Sequence, residues 1–270
     1  MSAPTVRSQV TPIVLTFNEE ANLARTLDAL GWAERVLVVD SGSTDATVAL
    51  AQRYANVRLV THAFEGNGHQ WAFALAHELV STPYVLALDA DMAPGEGFVE
   101  EVEGRVLRPG LAGAIVRFEY RIDGRALWGS LYPPDLRLFD RTRTRAVQVG
   151  HRHRFEVDGP LVRLKARLVH DDRKPLARFV ASQMGYAARE QERIERGESL
   201  RFRDRLRRWG LMPPAVFLLA YLRAGGPFLG RAALRYAYER AYFETLLALR
   251  LLGSDDPTRP GSAGPGEPRA

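Results

Sequence analysis

The sequence predicts an α/β protein: a mostly parallel sheet with helices on both faces, followed by a C-terminal helical segment. Three observations predict it. Short runs apolar on both faces recur at residues 10–16, 36–39, 57–61 and 84–88, as expected of strands buried on two sides. Helical spacing fills the intervals between them. Two of the runs end in acid, Asp40 and Asp89, and open α/β sheets bind ligands beyond the carboxyl ends of their strands.

Each element follows in order. After the first run, Asn18 is a candidate helix N-cap, with Glu19 and Glu20 in the first turn, where acids favour the helix dipole. Leu23, Leu27 and Leu30 recur at helical spacing, and Gly31 stands where a terminating glycine belongs. Ser43 and Thr44 can cap a second helix reaching about Tyr54. Gly66-Asn67-Gly68 breaks the chain, and Trp71, Leu75 and Leu79 mark a third helix. Residues 113–169, rich in Gly and Pro turns such as Asp123-Gly124, suggest irregular β structure. Residues 176–208 read as charged helix, 211–222 as an apolar stretch, and 231–252 as a further helix. The division expected is 8–125 for the strand-and-helix half, 126–200 for a site-completing region, 201–252 for a basic and apolar helical segment, and 253–270 for a disordered tail.

Composition excludes several classes. The 270 residues carry no cysteine, which removes thiolate catalysis and Cys-ligated zinc. With 46% hydrophobic and 26% charged residues, the chain is neither disordered nor collagen-like. Net charge is +5, and Lys165 and Lys174 are the only lysines. Arginine suits phosphate and carboxylate partners. No nucleic-acid partner is expected; phosphorylated substrates and anionic membrane surfaces are compatible. The opening MSAPTVRSQV lacks the apolar core of a secretory signal, so the expected location is the cytoplasm, with the cytoplasmic face of the inner membrane open. Arg201, Arg203, Arg205, Arg207 and Arg208 precede an apolar run too short to span a bilayer. That arrangement suits either a surface-lying helix or a solvated face before a core helix.

The polar strand ends Thr16, Asn18, Glu19, Asp40, Ser41, Asp89 and Asp91 should converge on one edge. Asp89 and Asp91 are two residues apart, so their side chains share a direction while the chain is extended. Paired carboxylates repel unless a cation or a proton relieves them; the alternative is a loop with two solvated acids. Mg²⁺ binds through one or two carboxylates plus substrate phosphates. Asp40 is placed to accept from a nucleobase imide N–H, supported by Ser41; the alternative is a loop that caps the next helix. Neither G-x-x-x-x-G-K-[ST] nor G-x-G-x-x-G is present, which disfavours P-loop ATPases and ordinary dinucleotide enzymes.

Taken in order, Thr16-Phe17-Asn18-Glu19-Glu20, Val38-Val39-Asp40-Ser41-Gly42-Ser43-Thr44-Asp45 and Leu88-Asp89-Ala90-Asp91 resemble the family 2 glycosyltransferases of the GT-A fold. The resemblance is looser through Leu136-Arg137-Leu138-Phe139, residues 151–159 and residues 170–186. It is similar to the branch holding lipopolysaccharide-core β-glucosyltransferases. The resemblance implies Glu19 on the ribose hydroxyls, Asp40 and Ser41 on uracil, Asp89 on ribose or metal, and Asp91 on the metal. Gln70 is implied near the nucleotide, although Asn67 replaces a common lysine and Ala72 a common asparagine. His170 resembles a third metal contact; a helix-leading turn is the alternative. The implied reaction is metal-dependent (Mg²⁺ or Mn²⁺), inverting transfer from a UDP-sugar to a hydroxyl of an envelope glycolipid or polysaccharide. Its base is His153 or His151, with Glu156 third. Transfer to a polyprenyl phosphate and a non-catalytic nucleotide-binding or membrane scaffold protein are the alternative readings.

Overall fold

Alternation along the first strands sorts their side chains onto two faces. In a computed structural model, which describes residues 5–107, 110–149, 152–197 and 202–254, Val10, Val14, Val36, Val38, Leu86 and Leu88 enter one apolar cluster. Their neighbours Ile13, Leu37, Val39, Val85 and Ala87 enter a second cluster on the opposite face, as a period of two requires. Leu23, Leu27, Phe98 and Val102 cover the first face; Trp71, Ala74 and Leu75 cover the second.

The chain runs α1 (Val6–Gln9), β1 (Val10–Thr16), α2 (Leu23–Asp28), β2 (Val36–Asp40), α3 (Thr47–Ala51), β3 (Val57–Thr61), α4 (Asn67–Ala76), β4 (Tyr84–Asp89), β5 (Met92–Pro94) and α5 (Phe98–Arg105). It continues through β6 (Gly113–Ile122), β7 (Arg125–Ala126), β8 (Asp135–Asp140), β9 (Thr144–Val149), β10 (Arg152–Val157) and β11 (Leu161–His170). The main sheet has the order β3-β2-β1-β4-β8-β6-β11-β5, with β7 beside β6, while β9 and β10 pair separately. Strands β1 to β4 pair in parallel. β8 is antiparallel to both β4 and β6, and β11 returns parallel to β6 and antiparallel to β5.

Several expectations need correction. Asn18 does not cap a helix: its φ is +54°, and a turn in which Asn22 and Leu23 donate to the Glu19 carbonyl delays α2 to Leu23. The first helix ends at Asp28, before Gly31. Ser43 and Thr44 do not cap α3. The N-cap position is Ala46, without a side-chain cap; Asp45 accepts from the Thr47 amide at 3.0 Å, and Ser43 is drawn to Asp40. α4 stops at Ala76, short of Leu79. The segment 113–169 is more regular than its turns suggest, since β6 and β11 are ten-residue members of the main sheet. The 176–208 stretch is two helices, with 198–201 outside the described residues. Residues 255–270, most of the tail, also lie outside them.

The described chain divides into two compact units, the first ending at Lys174 and the second beginning at Pro175. The second unit holds α6 (Leu176–Glu195), α7 (Phe202–Arg208), α8 (Met212–Ala224), α9 (Gly226–Leu229) and α10 (Arg231–Ser254). Arg207, expected as one charge of a basic run, is buried there. It donates to both oxygens of Glu244 at 2.8 Å and to Glu190 and Asp204 at 2.9 Å. This network ties α6, α7 and α10 together.

Gly113 is a packing requirement. A Cβ there would meet the Leu138 carbonyl oxygen at 2.5 Å and the Phe139 Cα at 2.9 Å, so β6 could not close on β8. Gly113→Ala is expected to cost about 1–3 kcal/mol, read as a lower urea midpoint; an unchanged midpoint would contradict the packing described.

Candidate functional site

The edge formed by the ends of β1, β2 and β4 is built from two interlocked loops. Asp40, 1% exposed, accepts from the amides of Gly42 and Ser43 at 2.9 and 2.8 Å and from the hydroxyls of Thr16 and Ser43 at 3.0 and 2.5 Å. Four donors occupy a carboxylate's lone-pair sites, so here Asp40 fixes the shape of the loop after β2. The loop after β1 is stitched to it. The amides of Asn18 and Glu19 donate to the hydroxyls of Ser43 and Thr47, and Asn18 Oδ1 accepts from the Thr44 and Asp45 amides. Gln70, buried, donates to Ser41 Oγ at 3.0 Å and to the His62 carbonyl, while its own oxygen meets His62 Nδ1 at 2.8 Å. Gln70 therefore positions Ser41, and His62 is a packing residue stacked on Phe73.

The two aspartates after β4 have separate surroundings. Asp89, 42% exposed, lies 3.5 Å from Arg137 Nη1. Arg137 is buried under Phe118 at 5.7 Å. Burial opposes its charge, but Asp89, Tyr132 and Asp135 outweigh that and raise its pKa. Asp91 Oδ2 lies 3.9 Å from His170 Nε2. Register sets this approach: β5 and β11 align Met92 with His170, and the Asp171 amide donates to the Asp91 carbonyl at 3.1 Å. His170 stacks on Tyr120 at 4.7 Å. Below the loop, Thr26 Oγ1 donates to the Ala90 carbonyl at 2.7 Å. Asp91 Oδ1 and His170 Nδ1 are buried without a hydrogen-bond partner.

A clasp joins the segment after β11 to the loop after β1. Asn22, 1% exposed, donates to Glu19 Oε2 at 3.0 Å and Asp172 Oδ1 at 2.9 Å. Its oxygen accepts from Arg25 Nη2 at 2.8 Å and the Arg173 amide at 2.9 Å. Lys174 Nζ adds contacts of 2.8 Å to Glu19 and 3.5 Å to Asp172. Burial works against the Lys174 charge, but Asp91, Glu19 and Asp172 together raise its pKa. One lysine thus serves three carboxylates. Burial lifts the Glu19 carboxyl to about 7; Lys174 opposes the shift and Asp91 adds to it.

Sequence reasoning brought Thr16, Asn18, Glu19, Asp40, Ser41, Asp89, Asp91 and His170 to one edge, and missed Asn22, Arg137 and Lys174. An arginine between Leu136 and Leu138 in an apolar strand was a usable signal for Arg137, and the rarity of lysine one for Lys174. Nothing local marks Asn22. Glu156 is held by Arg145 at 2.9 and 2.7 Å. His153 occupies a β10 position opposite Gln148, but its side chain, and the whole of His151, lie outside the described residues. Among the described residues, no group of three or more His, Asp or Glu forms a ready-made metal cage.

Comparison with known proteins places this edge in context. Residues 11–162 match the model of glycosyl transferase family 2, and the chain belongs to that family. The lipopolysaccharide core biosynthesis glycosyltransferase LpsC of Rhizobium meliloti (strain 1021) is 37% identical over 82 residues, covering 29% of this chain and 30% of that protein. An uncharacterized glycosyltransferase of Rickettsia felis is 30% identical over 96 residues, covering 35% and 33%. The matches thus span about a third of these curated relatives' length. Among solved structures, S. aureus TarS 1-349 in complex with UDP-GlcNAc aligns at 13% identity with a TM-score of 0.46, covering 90% of each chain. Glucosyl-3-phosphoglycerate synthase from Mycobacterium tuberculosis, in complex with phosphoglyceric acid, aligns at 20% identity with a TM-score of 0.45, covering 67% and 78%.

The raised Glu19 pKa sets a pH dependence. A carboxyl near 7 folded and 4.5 unfolded contributes stability that is full below pH 4.5 and lost as pH rises to about 7. In metal-free buffer, stability is expected to fall across that window by up to about 3 kcal/mol, at about 1.4 kcal/mol per pK unit. Glu19→Gln should flatten the fall in urea titrations; an identical slope in the variant would refute the shift.

Proposed function

We propose that the chain transfers a sugar, with inversion, from a UDP-sugar to a hydroxyl of an envelope glycolipid or polysaccharide, using Mg²⁺ or Mn²⁺. The observation that carries this reading is the orphaned, buried Asp91 Oδ1 beside His170 at the carboxyl edge of a parallel sheet in a family 2 chain. A buried polar atom without a partner costs about 1–3 kcal/mol, and a cation relieves it. Excess acid points the same way, since Glu19, Asp91 and Asp172 share one lysine. Mg²⁺ needs only one or two carboxylates from the protein, and an imidazole suits Mn²⁺. Asp91 and His170 would hold the ion, with Asp89 beside it.

The ion supplies Lewis-acid stabilisation of the departing diphosphate. The chain's residues do the rest. Ser41, oriented by Gln70, and Glu19 would contact the nucleoside, and Asp40 and Asn18 keep their loops in register. The acceptor oxygen forms its bond to the anomeric carbon as the bond to the diphosphate breaks, and that electron pair leaves with the diphosphate. The acceptor proton passes to a base. His153 or His151 fills that role better than Glu156, whose carboxylate is engaged by Arg145. The match to LpsC, named for lipopolysaccharide core biosynthesis, supports an envelope acceptor.

We also propose that the second unit rests on an anionic lipid surface. No helix among the described residues is long and apolar enough to cross a membrane. Trp209, Leu218, Leu219, Leu222 and Phe228 are nevertheless each more than half exposed, and Arg203, Arg205, Arg208, Arg223 and Arg231 in the same stretch of chain are exposed too. Apolar side chains beside arginines suit the interface of an anionic leaflet.

Two measurements check these readings. Calorimetry should show UDP binding at least about tenfold (1.4 kcal/mol) tighter with Mn²⁺, and Asp91→Asn should erase the gain; equal affinity with and without Mn²⁺ would remove the metal from the account. The protein should float with phosphatidylglycerol liposomes at low salt, and Leu218→Asp with Leu222→Asp should release it. Wild-type protein left at the bottom of the gradient would end the membrane proposal.

A further inference from the structure

At Asp91 itself, a cavity of ≈ 190 Å³ is lined by Arg25, Arg121 and Arg173 together with two acids, Asp91 and Asp171. The arginines come from three places in the fold: Arg25 from α2, Arg121 from the end of β6, and Arg173 from the segment after β11. Guanidinium groups repel one another, so three of them lining one space need an explanation. Arg121 pairs with Glu119 at 2.6 Å and Arg173 with Asp171 at 2.7 Å. Arg25 differs. Its three hydrogen bonds go to the Ala21 carbonyl, Asn22 Oδ1 and the Asp171 carbonyl, all uncharged amide oxygens. Burial and the nearby Arg173 lower its pKa, against the opposing pull of Asp171, Asp91 and Asp172.

The surrounding chain makes room for the cluster. Asp123 and Gly124 have φ of +49° and +83° and form the two-residue turn between Ile122 and Arg125, the geometry an Asp-Gly hairpin favours. A Cβ on Gly124 would meet Arg173 Nη2 at 2.9 Å, and the Gly124 amide donates to Asp171 Oδ1 at 3.2 Å. The turn and the pocket are thus fitted to each other. The volume lies below the roughly 300–1,000 Å³ of drug-sized sites and suits one small oxyanion with its water.

We propose that this pocket binds a phosphate group carried by the acceptor, and so helps choose which hydroxyl reaches the sugar. The inference rests on the transfer reading above. Arginine recognises phosphate through paired, charge-assisted hydrogen bonds. Acceptor rather than donor follows from the sheet order. Ser41 follows β2, whereas Arg121 and Ala93 lie on β6 and β5 and Arg173 follows β11, across β1 and β4 from it in the sheet order.

The test titrates inorganic phosphate into the full chain by calorimetry, at constant ionic strength, with and without saturating UDP and Mg²⁺. Phosphate should bind with UDP already in place. Arg121→Gln and Arg173→Gln should each weaken phosphate by about tenfold or more (1.4 kcal/mol) while UDP affinity stays within about twofold. Three results overturn the proposal: phosphate that displaces UDP, which gives the pocket to the donor; phosphate affinity unchanged in both variants; or UDP uptake with no phosphate uptake. Phosphate uptake without any UDP uptake would instead overturn the transfer reading, and the acceptor assignment with it.

Discussion

A single buried amide holds the site together. Asn22 uses both donors and both acceptor positions, and it spends them on the loop after β1 and on a segment about 150 residues later. Without that clasp, Glu19 and Asp172 would lose their shared donor, Lys174 would face them unsupported, and the segment after β11 would be left to the contacts of Asp171 with Asp91, Arg25 and Gly124. Each hydrogen bond in such a network is worth about 0.5–1.5 kcal/mol net, and more where a partner is charged. Because the amide is buried, leaving any of its groups unmatched is costlier still.

The clasp works with strand register. β11 lies between β6 and β5, so His170 is set beside Tyr120 on one side and Met92 on the other. A one-residue slip in either pairing would turn His170 to the opposite face. The imidazole therefore meets Asp91 through backbone pairing rather than through any direct bond between them. Thr26 fixes Ala90 from below, and Arg137 supplies a buried positive charge next to Asp89. The result is a rim on which Asp89 meets Arg137, Asp91 lies near Lys174, and the arginine-lined cavity opens at Asp91 itself.

Much of this was legible from sequence because it is local. Short runs apolar on both faces marked the four parallel strands, and polar residues at their ends marked the edge. What escaped was set by distance or by backbone conformation. Asn18 looks like a helix cap, yet it adopts a positive φ and bonds the neighbouring loop. Asp40 looks free to read a base, yet its lone pairs are taken by its own loop and by Thr16. No spacing rule links Asn22 to Asp172, and none reveals that Arg207 is buried among three acids. These contacts exist only once the sheet has brought remote segments together.

The most direct check on this account is the Mn²⁺ affinity of Asn22→Leu, measured by electron paramagnetic resonance with UDP present. The substitution leaves Asp89, Asp91 and His170 in the chain. If the clasp is what holds Glu19, Asp172 and Lys174 around Asp91, Mn²⁺ should bind at least about tenfold more weakly (1.4 kcal/mol) in a variant whose circular dichroism is unchanged. Wild-type Mn²⁺ affinity in that variant would show that the site assembles without it.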